Sequence, residues 1–162
     1  MVRDGTFSAV TDGSVGTTMA RARRPGRNGG SRESPPPDPA VTVVGVGASA
    51  GGVNALQAFF EALPADPGAA FVVIVHLDPQ ARSELPVILA GRAKMPVKQV
   101  TETTKLTPNC IYVIPPDRQL RISDEEISAE PFQEPRGQRA PIDLFFRSLA
   151  DQHRDGFAVI LT

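Results

Sequence analysis

Ser49 stands in Gly47-Ala-Ser49-Ala-Gly51, which follows the β-branched run Val41-Thr-Val-Val after Gly45-Val46. That spacing matches the G-x-S-x-G pattern, in which a serine hydroxyl is presented between a strand and a helix. Glycines beside the serine let the backbone turn and keep bulk away from the hydroxyl. Backbone N–H groups at the start of the helix, aided by its dipole, can stabilise a developing oxyanion. The N–H of Ala50 is the candidate donor. A second apolar run, Phe71-Val-Val-Ile-Val75, ends on His76. Adjacent parallel strands bring their carboxyl ends side by side, where α/β proteins build sites. A histidine there can act as general base toward Ser49.

Each residue also has a plainer reading. Ser49 can be an N-cap serine, and His76 can bond within the loop Asp78-Pro79. An orienting acid is required for a Ser–His pair, and Asp78, Asp117 and Asp143 are available, none convincingly placed. Asp78 is close enough to His76 to organise its turn, and Asp143 falls in the first turn of a helix, where a carboxylate is stabilising anyway. His153 lies in the charged helix end Asp151-Gln-His-Arg-Asp155. The glycines also invite a dinucleotide-binding reading, but Gly45-x-Gly47-x-x-x-Gly51 is one residue too long, and the second strand ends on His76 instead of an acid. One cysteine, Cys110, and two separated histidines give neither an internal disulfide nor a metal site. No cofactor is expected.

The elements that must position these residues alternate strand and helix from Val41 onward. Val41–Gly47 and Ala70–Val75 read as strands buried in a parallel sheet. Between them Val53, Leu56, Phe59, Phe60 and Leu63 recur at helical spacing, and Pro64 stops the helix. Ser83–Ala90 reads as a short helix capped by Ser83 with Pro86 in its first turn. Val97–Val100 and Ile111–Ile114 are short strands, and Leu120–Ile122 with Glu126–Ala129 form a hairpin turning at Ser123-Asp-Glu. After the polar loop Glu134–Arg139, Pro141 opens a helix with Ile142, Phe145, Phe146 and Leu149 on one stripe. Phe157–Leu161 is a last apolar strand. The fold class expected is α/β, a doubly wound, mostly parallel sheet with helices on both faces, incomplete at its C-terminus.

Residues 1–40 are rich in Gly, Ser, Arg and Pro and nearly devoid of large apolar side chains. They read as a disordered tail, with Ser34-Pro-Pro-Pro-Asp-Pro39 as a stiff lead-in. Met19 is an alternative start. Residues 41–162 form the folded part. The formal net charge of −1 gives no reason to expect nucleic acid as a partner. No apolar run approaches the roughly 20 residues of a membrane span, so no membrane insertion is expected.

Several blocks, in order, resemble the catalytic domain of the chemotaxis protein-glutamate methylesterase family, CheB. They are Gly45-Val-Gly-Ala-Ser49-Ala-Gly-Gly-Val-Asn-Ala-Leu56, Val75-His76-Leu-Asp-Pro79, Ser83-Glu-Leu-Pro86, Ile111-Tyr-Val-Ile-Pro-Pro116 and Pro141-Ile-Asp-Leu-Phe-Phe-Arg-Ser-Leu-Ala150. The resemblance implies a doubly wound α/β fold, a cytoplasmic location and hydrolysis of glutamate γ-methyl esters on chemoreceptors, with deamidation of receptor glutamines. It makes Ser49 the nucleophile and His76 the general base, needs no cofactor, and makes the helical cytoplasmic part of a receptor the partner. Ala50 departs from the Thr common after the nucleophile, a variant associated with forms fused to the partner methyltransferase, of the CheB–CheR type. The family's acidic triad member belongs to a Gly-x-Gly-x-Asp-Gly block, expected beyond Thr162. The alternative is a catalytically inactive receptor-binding remnant lacking that aspartate.

Overall fold

Thr42–Ala48 forms the first strand, β1, and its apolar run leads through a single 3₁₀ turn, Ala50–Gly52, into helix α1, Val53–Ala62. The computed structural model describes residues 40–75, 84–152 and 156–162. Strand β2, Ala69–Val75, follows α1, and all of its residues are buried, as a strand covered on both faces requires. The next elements are α2, Leu85–Ala90, β3, Val97–Gln99, the two-residue β4, Thr104–Lys105, and β5, Cys110–Val113. A hairpin of β6, Arg118–Ser123, and β7, Glu126–Pro131, precedes α3, Pro141–Gln152, and β8, Gly156–Leu161.

Five strands make one sheet in the order β3-β5-β2-β1-β8, and all four pairings are parallel. The remaining three make an antiparallel sheet, β4-β7-β6. Two hydrophobic clusters lie on opposite faces of the parallel sheet. On one, Leu56 and Phe60 of α1 and Leu85 and Leu89 of α2 pack over Val46, Phe71, Val73 and Ile111. Phe60 meets Phe71 edge-on at 5.6 Å between ring centroids, the favoured aromatic arrangement. On the other, Phe145 and Leu149 of α3 join Leu120, Ile122 and Ile127 of the hairpin over Val43, Val72, Ile74 and Tyr112. This is the α/β architecture expected, with helices on both faces.

The differences from the sequence expectation are local. The hairpin strands run further than Leu120–Ile122 and Glu126–Ala129, and the turn is tighter. Ser123 pairs with Glu126, leaving Asp124 and Glu125 as the turn, with Asp124 at φ 53°. Strand β4 was not anticipated. Helix α2 starts with Glu84 at the N-cap, with no side-chain bond, and Pro86 in its first turn; the Ser83 cap lies outside the described residues. So do His76, Asp78 and His153, and all of the expected tail except Ala40.

Candidate active site

Strand β1 delivers Ser49 at the carboxyl edge of the sheet. Ser49 is exposed, with φ −73° and ψ 168°, and it makes no side-chain cap bond. Its carbonyl, by contrast, is used: Gly52 N–H donates to Ser49 O at 2.9 Å and closes the 3₁₀ turn. The hydroxyl therefore does no capping work, contrary to the plainer reading of this residue. Among the described residues, a Cβ built on Gly51 would meet Ser49 Oγ at 3.9 Å, an ordinary contact. Ala50 opens the 3₁₀ turn, a position whose N–H has no acceptor within the turn.

The glycines have a different role from the one expected. Ser49 sits in ordinary extended backbone, so the sharp strained turn of the G-x-S-x-G signature is not formed. Gly45 and Gly47 instead face α3. A Cβ on Gly45 would lie 2.9 Å from Phe146 Cε1, and one on Gly47 would lie 2.8 Å from Ile142 Cγ2. Both distances are impossible without displacement, so these two positions let α3 seat directly on β1. This also supplies a packing reason for the glycine pattern that otherwise suggested a nucleotide. Gly52 serves a third approach: a Cβ there would meet Leu161 O at 3.2 Å, at the end of β8.

Beside β1, strand β2 ends in register, with Ala48 opposite Val75. The residue after Ala48 is Ser49, and the residue after Val75 is His76, whose own placement lies outside the described residues. Of the acids considered, Asp78 is likewise outside them. Asp143 is exposed in the first turn of α3. Asp117, at φ 56°, is engaged elsewhere: its Oδ1 is paired with Arg139 Nη1. Cys110 is a free thiol buried in the core. Among the described residues no three His, Cys, Asp or Glu side chains cluster as metal ligands would.

Arg139 was not singled out by sequence reasoning. Besides Asp117, its Nε donates to Glu134 O at 3.2 Å, and its guanidinium lies 4.7 Å from the centroid of Phe132. It thus ties the loop after β5 to the chain entering α3, the helix seated beside Ser49. A charged pair and a cation–π contact between loop residues follow no sequence period, so the only signal was an arginine inside a polar loop.

The CheB methylesterase family model matches residues 44–162. Protein-glutamate methylesterase/protein-glutamine glutaminase 2 of Burkholderia lata is 33% identical over 163 residues, covering 94% of this chain and 48% of that protein. Protein-glutamate methylesterase/protein-glutamine glutaminase 3 of Pseudomonas aeruginosa is 31% identical over 141 residues, covering 85% of this chain and 39% of that protein. The chain thus spans about half the length, or less, of these curated relatives. Among solved structures, the Thermotoga maritima CheB methylesterase catalytic domain superposes with a TM-score of 0.63 at 22% identity, over 74% of this chain and 66% of that one. That likeness bears on the fold.

Proposed function

This chain belongs to the CheB methylesterase family, and from that premise we propose that it carries part of a cytoplasmic chemotaxis enzyme that hydrolyses glutamate γ-methyl esters on chemoreceptors. Deamidation of receptor glutamines is the companion reaction, since an amide and an ester present the same carbonyl to the nucleophile. The observation that carries the reading is Ser49: exposed after the end of β1, with no side-chain cap bond. No described helix is long and apolar enough to cross a membrane, and the partner proposed is the helical cytoplasmic part of a receptor.

In the proposed mechanism Ser49 Oγ attacks the ester carbonyl as His76 takes its proton. The backbone N–H of Ala50 stabilises the oxyanion. His76 then gives its proton to the departing methoxide, which leaves as methanol, and water hydrolyses the acyl-enzyme with His76 again as base. The register of Ala48 with Val75 supports this pairing, because in the sequence each candidate directly follows one of these two residues. The family resemblance sets the aspartate that orients His76 beyond Thr162.

Methanol release from a methylated receptor fragment, measured on the gene product carrying this sequence, tests the reading. Ser49→Ala and His76→Ala are each expected to lower turnover by about 10³-fold or more. Undiminished turnover in either variant overturns its assignment. Receptor binding without hydrolysis by the parent favours the inactive binding module instead.

A further inference from the structure

Outside the Ser49 edge, a groove of about 320 Å³ runs between β6 and α3. Its floor is fixed by packing and hydrogen bonding. Ile122 is buried, Ile122 N–H donates to Ser148 Oγ at 3.3 Å, and Ser148 Oγ–H donates to Phe145 O at 2.9 Å. Its rim carries two guanidinium groups, Arg121 from β6 and Arg147 from α3. Their acidic neighbours are Glu130 for Arg121 and, one turn to either side along α3, Asp143 and Asp151 for Arg147. Arg121 reaches Glu130 only at 3.8 Å, with both side chains largely exposed, and Arg147 has no ion pair among the described residues. Arg147 is exposed on the helix whose Ile142 would meet a Cβ on Gly47, two residues before Ser49. The groove and the candidate nucleophile are therefore on one compact unit, with the groove extending along the helix away from the carboxyl edge.

We infer that the Arg121–Arg147 groove is a docking site for a carboxylate on the protein substrate, separate from the ester-binding position at Ser49. The inference rests on the proposed methylesterase reading, and the chemistry of that reaction favours this occupant. Each hydrolysis turns a neutral ester into a glutamate carboxylate, so the substrate surface gains the charge that two guanidinium forks recognise. Asp151, one helical turn beyond Arg147 (about 6 Å), also lines the groove. With Asp143 one turn before Arg147, it leaves the Arg147 charge between two carboxylates along α3, which selects a carboxylate flanked by neutral or basic residues over a uniformly acidic run.

The test is receptor binding by the Ser49→Ala gene product, read as fluorescence anisotropy of a labelled, partly demethylated receptor fragment. Arg121→Gln and Arg147→Gln are each expected to weaken binding about threefold to fivefold, the size of an exposed charge pair. Their combination should lose about tenfold and flatten the salt dependence. Arg118→Gln, an exposed arginine on β6 outside the groove, should stay within about twofold, which separates the groove from overall charge. With Ser49 intact, turnover of p-nitrophenyl acetate should be the same in all these variants. Unchanged receptor binding by the double variant overturns the inference. So does an Arg121- and Arg147-dependent site for inorganic phosphate that leaves receptor binding untouched, and so does absence of receptor binding altogether. Arginine-dependent binding by a parent that releases no methanol would keep the docking site and remove the catalytic reading.

Discussion

Ser49 combines two properties that rarely coincide in a residue kept for structure: it begins a helical turn, yet its hydroxyl caps nothing. A working N-cap serine contributes about 1 kcal/mol to stability, lost on replacement by alanine. Here that contribution is absent, so Ser49→Ala should melt within about 0.5 kcal/mol of the parent, as a surface substitution does. Thermal or urea unfolding of the two proteins measures this directly. A loss of 1 kcal/mol or more, about the value of a working cap, would return Ser49 to a structural role. The prediction is independent of activity, so it separates the chemical assignment from the integrity of the fold.

At the scale of elements, the seating of α3 on β1 fixes how the strand that ends at Ser49 is held. Gly47→Ala must push Ile142 aside, and Gly45→Ala must push Phe146, with Phe145 also within 3.0 Å. Overpacking of this kind costs about 1–3 kcal/mol. Among the described residues Gly51→Ala meets Ser49 Oγ at 3.9 Å, and it should stay within about 0.5 kcal/mol. Chemical denaturation of the three variants checks the ranking; equal losses would mean that the glycines serve the turn and not the helix. This contact also shows where the sequence was legible. The runs that became β1 and β2 were readable because continuous stretches without charged side chains, rich in Val and Ile, suit a strand covered on both faces. The α3 stripe was readable because Ile142, Phe145, Phe146 and Leu149 keep helical spacing. The position of Ser49 after the end of β1 was readable because the glycine-flanked serine follows the apolar run. The role of Gly45 and Gly47 was not, because it depends on an element far along the chain. Strand β4 has two residues and no period, and the outer ends of β6 and β7 carry Arg118 and Glu130, which resemble loop. The Asp117–Arg139 pair joins two loops and leaves no local trace.

At the scale of the whole molecule, both faces of the parallel sheet are covered, and among the described residues β8 is an edge strand. Among the described residues β8 pairs only with β1, leaving its other edge with unpaired backbone groups. Phe157 and Ile160 on this strand are 59% and 64% exposed. An apolar, unpaired edge is a template for another strand, and a formal net charge of −1 offers little repulsion between copies. The 162-residue chain is therefore expected to associate reversibly in sedimentation velocity as its concentration rises. Phe157→Lys with Ile160→Lys should reduce that association, because inward or edge charges block strand addition. The same pair should leave thermal stability nearly unchanged, since exposed side chains contribute little burial to the folded state. Val87, 76% exposed on α2, provides the control: Val87→Lys removes an exposed apolar side chain of the same class without touching a strand edge. Should Val87→Lys abolish association while the β8 pair leaves it intact, the edge-strand account fails and the α2 surface is the one that drives it.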